Sequence, residues 1–504
     1  NYFKINDLKI EWGAKTSLAI AGELKRVTEL DSLTFDFNFI KAESVRRDVL
    51  KFVTEEESGI SISETILVEA TANGNYNDLN ASAVLKIPEG TVQVSGNYKN
   101  QNQLAFDGNI KIDSLQLNKL LKNEQLGGIS FSMDLSGSGN NINDLNAEIE
   151  SDFNQLDFKN YDFSNLELQG KVTNGKGNID LNLKDENLNF EAKTAIDLDS
   201  VNTKIGFDLD LIGADLYALG VTRENIKAGL QMTAAFTGNP EDYQLNGIIQ
   251  NGIAVYDNEQ YQMGPIEFNA AIDAASTAIN IDSDVLKGSL QSNASPKGLE
   301  SALTKQLQQY FKDESEIASE SSDTVRLKMK MQLRPNQILT DVFFKGIEQL
   351  DSIVVDADFD ASTKKLNAEF RVPLAKYQGS SIDSLNILVN GDATNLNFTA
   401  GLGALFAEPI HIKKTYFEGN LKNKEMLLDF VSFDGNEKLV HITSEMTLEK
   451  DTTRLHINPS EFILNKKEWS IPEVNKISIA KNFLAFDNVK LSRNRLFNYD
   501  VKAK

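Results

Sequence analysis

The chain has 504 residues, 41% hydrophobic and 25% charged, with a formal net charge of -22, nine prolines and no cysteine. This composition argues against disorder and leaves no disulfide framework or thiolate metal site; the charge argues against general binding of nucleic acid or anionic head groups. A chain of this length either splits into domains of about 100 to 200 residues or stacks repeats, and its patterning favours repeats.

The chain opens on Asn1 with no basic stretch, apolar core and cleavage site behind it, and so reads as a mature or excised region. No apolar run approaches the roughly 18 to 20 residues that cross a bilayer as a helix, so a membrane anchor is expected outside these residues. Val45, Val49, Phe52 and Val53 have the spacing of a first helix face. Asn73-Gly74 predicts a hairpin turn, as do Asn174-Gly175, Asn390-Gly391 and Asp434-Gly435.

The dominant signal is alternation with period two, which places every second side chain on one face of a sheet. Ile129, Phe131, Met133 and Leu135 alternate with Ser130, Ser132 and Asp134; Ile179, Leu181 and Leu183 follow, then Leu188 and Phe190, then Ile205, Phe207 and Leu209. A second helix is expected over 297–312, with Leu299, Leu303, Leu307, Tyr310 and Phe311 three or four residues apart, ahead of an acidic, serine-rich stretch. Alternation resumes with Leu327, Met329 and Met331, then Val355 and Phe359, and across a turn Leu366 and Phe370. A looser repeat echoes the phrase 113–121 at 209–220.

These signals predict an all-β fold: a long, curled, mostly antiparallel sheet built of repeats, with a few short helices. About 30 strands are too many for an open twisted sheet unless it curls, splits or is covered. Curling yields one continuous groove over 1–504, with weak sub-units near 1–125, 126–225, 226–325 and 326–504. The alternative is a set of β-sandwiches. An aromatic content of 8%, with only Trp12 and Trp469 as tryptophans, favours an aliphatic trough suited to acyl chains.

At this level the chain resembles the TamB family, members of the AsmA-like group of bridge-like lipid transfer proteins, in particular those of Bacteroidota. The resemblance rests on the strand and short-helix phrase 113–121, on Tyr161 to Lys171, and on Leu455 to Phe462 leading to Trp469. It implies a taco-like β-groove in the periplasm, anchored in the inner membrane and reaching toward a BamA-like outer-membrane barrel of the TamA type. It also implies phospholipid as cargo, or, in an older reading, assembly of outer-membrane proteins.

Motifs with chemical meaning are few. Gly170 to Gly177 nearly matches a phosphate-binding loop, but Gly177 stands where Ser or Thr is required and a strand follows, so a hairpin turn is expected. His411, His441 and His456 lack metal-ligand spacing and sit in alternating segments. The Asn-rich run 73–78 lacks a calcium-repeat period and reads as a solvated turn. No catalytic residue, metal or cofactor is expected. The leading expectation is a passive lipid conduit lined by the nineteen alternating residues named from Ile129 to Phe370. The alternative is a scaffold that offers strand edges to outer-membrane proteins. A lipid-facing barrel is disfavoured by the shortage of Trp and Tyr for interfacial girdles.

Overall fold

The computed structural model describes residues 2–159, 161–311, 324–407, 410–448, 452–481, 483–493 and 497–500. It is 66% strand and 9% helix, the all-β fold that the alternation predicts. The chain forms two compact units, one of residues 1–239 and 247–263, the other of 240–246 and 264–504.

In the first unit, β1 (Tyr2–Trp12), β2 (Thr16–Lys25), β3 (Thr34–Val45), β4 (Thr65–Asn75) and β5 (Asp78–Ile87) form successive antiparallel pairs. The series continues through β6 (Gly90–Asn100), β7 (Leu104–Gln116), β8 (Leu126–Gly139) and β9 (Asn146–Phe158). Both β10 (Tyr161–Phe163) and β11 (Leu166–Thr173) pair with β9. Next come β12 (Lys176–Lys184), β13 (Leu188–Asp197), β14 (Thr203–Asp215) and β15 (Ile226–Gly238). Strands β16 (Tyr243–Tyr256) and β17 (Glu259–Met263) form a hairpin. Among the described residues β1 pairs only with β2, so this sheet stays open.

Because each neighbour reverses direction, β3, β7 and β14 all leave the sheet by the same rim. That rim carries α1 (Arg46–Val49), α2 (Glu55–Ser58), α3 (Leu117–Leu121) and the turns of 216–220. The echo between 113–121 and 209–220 is structural: both strand pairs are bulged just before the cap, between Ile112 and Leu115 and between Leu211 and Ala214. Buried Asp48 accepts from the Ala14 and Lys15 amides, Thr16 and Lys51, tying the β1–β2 turn to α1. The expected helix through Val45 and Val53 stops after one turn. Thr54 begins a new helix with a capping box to Glu57, and Phe52 is left exposed with its ring edge-on to Trp12.

In the second unit the series is β18 (Ile266–Ile272), β19 (Thr277–Ser283), β20 (Leu286–Ser292), β21 (Arg326–Leu333), then, past β22 (Ile347–Leu350), β23 (Ile353–Asp360), β24 (Lys365–Tyr377) and β25 (Ser380–Gly391). It goes on through β26 (Leu396–Leu402) and, past β27 (Ala404–Ala407) and β28 (Ile410–Ile412), through β29 (Thr415–Lys422), β30 (Glu425–Asp434) and β31 (Glu437–Leu448). Here α4 (Pro296–Phe311) lies between paired neighbours β20 and β21. Pro296 occupies its first turn, and Ser295 accepts from the Gly298 amide.

The turn at Asn174-Gly175 forms as predicted, with positive φ at both residues, and that expected at Asp434-Gly435 falls one residue on, at 435–436, with Gly435 at positive φ. Two others are corrected. Asn73-Gly74 belongs to β4, and the turn falls at 76–77, where the Asn75 side chain accepts from the Asn77 and Asp78 amides. Asn390-Gly391 ends β25, and its turn is organised by Asp392, which accepts from the Thr394 and Asn395 amides.

Candidate functional site: the apolar face

Pairing register converts the alternation into rows that cross the strands, since directly opposed residues share a face. Across the first unit one row runs Phe131, Phe153, Leu166, Leu183, Phe190, Leu211, Leu230. The next runs Met133, Ser151, Leu168, Leu181, Ala192, Leu209, Met232. A third joins Leu135, Ile149, Gly170, Ile179, Thr194, Phe207 and Ala234, and Ile205 lies beyond it beside Ile196 and Phe236. Ile129 faces Leu156 and Leu115, and Leu188 faces Ala214. At Gly170 an added Cβ would meet Ile149 Cγ2 at 2.8 Å, so the missing side chain lets its neighbours close the row.

The interleaved residues make an equally regular polar row: Asn109, Asp134, Glu150, Gln169, Asp180, Lys193, Asp208, Thr233. It is knitted by side-chain bonds such as Asn109 Nδ2 to Asp134 (2.9 Å) and Thr233 Oγ1 to Asp208 (2.9 Å). A depression of about 910 Å³ follows the first part of this row, lined by Asn109, Asp134, Glu150, Gln169 and Asp180 with Asp107 and Glu148 beside them. The carboxylates are spread along it, and among the described residues no three of His, Asp and Glu are grouped to hold a metal ion.

Most of the predicted lining residues are half-buried, and Leu183 is buried. Fully burying such a side chain is worth about 1.5 to 3 kcal/mol, so roughly 1 kcal/mol per half-exposed residue is left for whatever covers the face. Phe153, Leu166, Leu168 and Ile149 complete the rows and were not predicted. Ser151, buried with its hydroxyl donating to the Ser132 carbonyl (3.0 Å), interrupts the alternation of its strand, and period two counted through it would have found both Ile149 and Phe153.

In the second unit the predicted residues again fall into rows: Leu327, Phe359, Leu366; Met329, Ala357, Ala368; and Met331, Val355, Phe370. The first row is not open. Leu327 and Phe359 are buried with Ala294, Val325 and the helix residues Leu299 and Ala302; Leu303, Met329 and Leu366 pack around them. Tyr310 Oη donates to the Asp392 carbonyl at 2.7 Å and stands over Gly391, where a Cβ would lie 2.6 Å from it. By contrast, Met331 is 38% exposed.

Farther along, Phe462, Ile471 and Val489 form a second small core with Ile442, Ile457 and Trp469. Buried His441 bridges Asp429 (2.9 Å) and Glu461 (3.2 Å), and His456 Nδ1 lies 2.9 Å from the Asn475 carbonyl, contacts that bind loop to strand. The side chain of His411 lies outside the described residues. The Gly170 to Gly177 phrase is the β11–β12 hairpin, with no helix to cradle a phosphate. No described helix is long and apolar enough to cross a membrane. Comparisons with known protein families, curated proteins and solved structures found no match to this chain.

Proposed function

We propose that this chain is a passive conduit for phospholipid, carrying acyl chains along its apolar face while head groups stay in water. The observation that carries this reading is the register: the rows through Phe131, Met133 and Leu135 continue over seven neighbouring strands with no charged side chain among them. Interior strands have their backbone groups paired on both sides, so the face offers an occupant apolar contact and no free backbone partner. A hydrocarbon chain asks for nothing else. The resemblance to TamB-like proteins supports a periplasmic setting, an inner-membrane anchor in a longer chain, and delivery toward an outer-membrane barrel of the BamA kind. No step of chemistry is involved, and no cofactor.

Native mass spectrometry of the chain purified without detergent, with extraction of bound lipid, tests this. Several phospholipids per chain are expected; a monodisperse, lipid-free protein would overturn the reading.

One observation favours a second reading, a scaffold for outer-membrane proteins. β1 has a second edge without a partner among the described residues, and Tyr2, Phe3, Leu8, Ile10 and Trp12 are exposed on it. Such an edge suits β-augmentation. A proline at Lys9, which removes a backbone donor from that strand, should then impair function more than any charge on the apolar rows.

A further inference from the structure

Helix α4 is an excursion within a hairpin. β20 and β21 are direct partners, Ser292 opposite Leu327, and Asn293 closes the base by donating to the Thr324 carbonyl (2.9 Å) and accepting from the Arg326 amide (2.6 Å). A two-residue turn would join these strands equally well, so the sheet does not require the helix. The helix is placed with care nonetheless. Sixteen residues span about 24 Å, the width of five strand intervals. It begins against Leu327, and at its far end the Tyr310 carbonyl accepts from the Lys424 amide (3.2 Å) beyond β29. It therefore lies across the strands along the outermost apolar row.

Its two flanks differ. Leu299, Ala302, Gln306 and Tyr310 are buried against the sheet. Gln309 lies on the flank toward the hairpin turns, where its amide donates to the Asp392 carbonyl (3.4 Å). At 100° per residue, Leu303 and Leu307 fall on the opposite flank, which faces the middle of the strands, while Phe311 lies farther round, directly opposite buried Ala302. Leu303, like Leu290 and Met329 of the next row inward, packs against the buried cluster, while Leu307 and Phe311 are exposed. A helix about 10 Å wide covers the outer two rows and leaves Met331, Val355 and Phe370 as the first uncovered one.

We infer that the flank of Leu303 and Leu307 and the row Met331, Val355, Phe370 are two walls of one slot that holds a single fatty acyl chain. This rests on the conduit reading and locates a binding site within it. The strands beneath are paired on both edges and the helix is bonded internally. An extended peptide in this slot would bury its own amides unpaired, whereas an alkyl chain has none to satisfy.

The test is photolabelling of the whole chain with phosphatidylcholine carrying a diazirine in its acyl chain, presented in dioleoylphosphatidylcholine vesicles, with tryptic peptides mapped by mass spectrometry. Label is expected on peptide 306–312, which contains Leu307, and on peptide 366–371, which contains Phe370. In the variant Leu307→Glu, labelling of 366–371 should fall about tenfold as charge enters the slot. Label on 366–371 without any on 306–312 would overturn the slot and leave the conduit standing. No label anywhere on the chain would overturn both. The wild-type map decides even where the variant fails to fold.

Discussion

The rows through Phe131, Met133 and Leu135 in the first unit and those through Leu327, Met329 and Met331 in the second share one sequence grammar and differ in cover. In the first, most of the alternating residues stay half-buried from strand to strand, with Leu183 and Ala192 buried among them. In the second, a helix takes the outermost row out of solvent, so that Phe359 is 1% exposed while Met331, two rows inward, is 38% exposed. Identical alternation therefore yields a surface in one place and a core in another. The difference is made by whatever lies across the strands, not by the strands.

This contrast can be broken or sharpened by experiment. The largest effect is expected from charge on the open rows. Phe190→Asp sets a carboxylate among Leu183 and Leu211, at a cost of several kcal/mol to any hydrocarbon beside it, and should abolish lipid recovery in native mass spectrometry; Met331→Asp should do the same in the second unit. Full lipid occupancy in the folded variants would refute a continuous apolar path. Next in size, Phe359→Ala should lose about 3 to 5 kcal/mol of stability in urea unfolding, against about 1 to 2 kcal/mol for Phe131→Ala, whose half-buried ring lies 4.9 Å from that of Phe153. Equal losses would erase the distinction between core and surface.

Tyr310→Phe removes the donor to the Asp392 carbonyl and the partner of Gln306 Nε2 (2.6 Å), and should cost about 1 to 2 kcal/mol in the same assay. The smallest effect is acid loss. Glu55 is held down to about 2 by the Lys122 ammonium, the Ile62 amide and Arg46, and Asp392 to about 2 by the Thr394 and Asn395 amides. Both carboxyls lie below their unfolded values, so each adds stability that is complete above about pH 4.5 and is lost as pH falls toward 2. A thermal melt across that window should decline, and less steeply in Asp392→Asn; an unchanged slope would assign the turn no part in it.

Strands were legible because a period of two survives from Ile129 to Phe370 whatever their register. Turns were less so. Asn75 draws the β4–β5 turn onto itself by accepting two amides, and Gly391 serves a strand end where the hydroxyl of Tyr310 needs the space of a missing Cβ. The first helix was overread because Thr54 starts a competing one. Ile149 and Phe153 were missed because one serine broke a count that the pairing restores.

By itself the sequence determined that the chain is β, that its strands have one apolar and one polar face, and where α4 runs. These are local properties, set by alternation and spacing. Which apolar residues meet, which row α4 covers, and which stay open to an occupant were decided by register and by packing between segments far apart in the chain. Leu327, Phe359 and Leu366 come together beneath α4 only because neighbouring strands bring them to one rim, and no periodicity within any one of those strands records that.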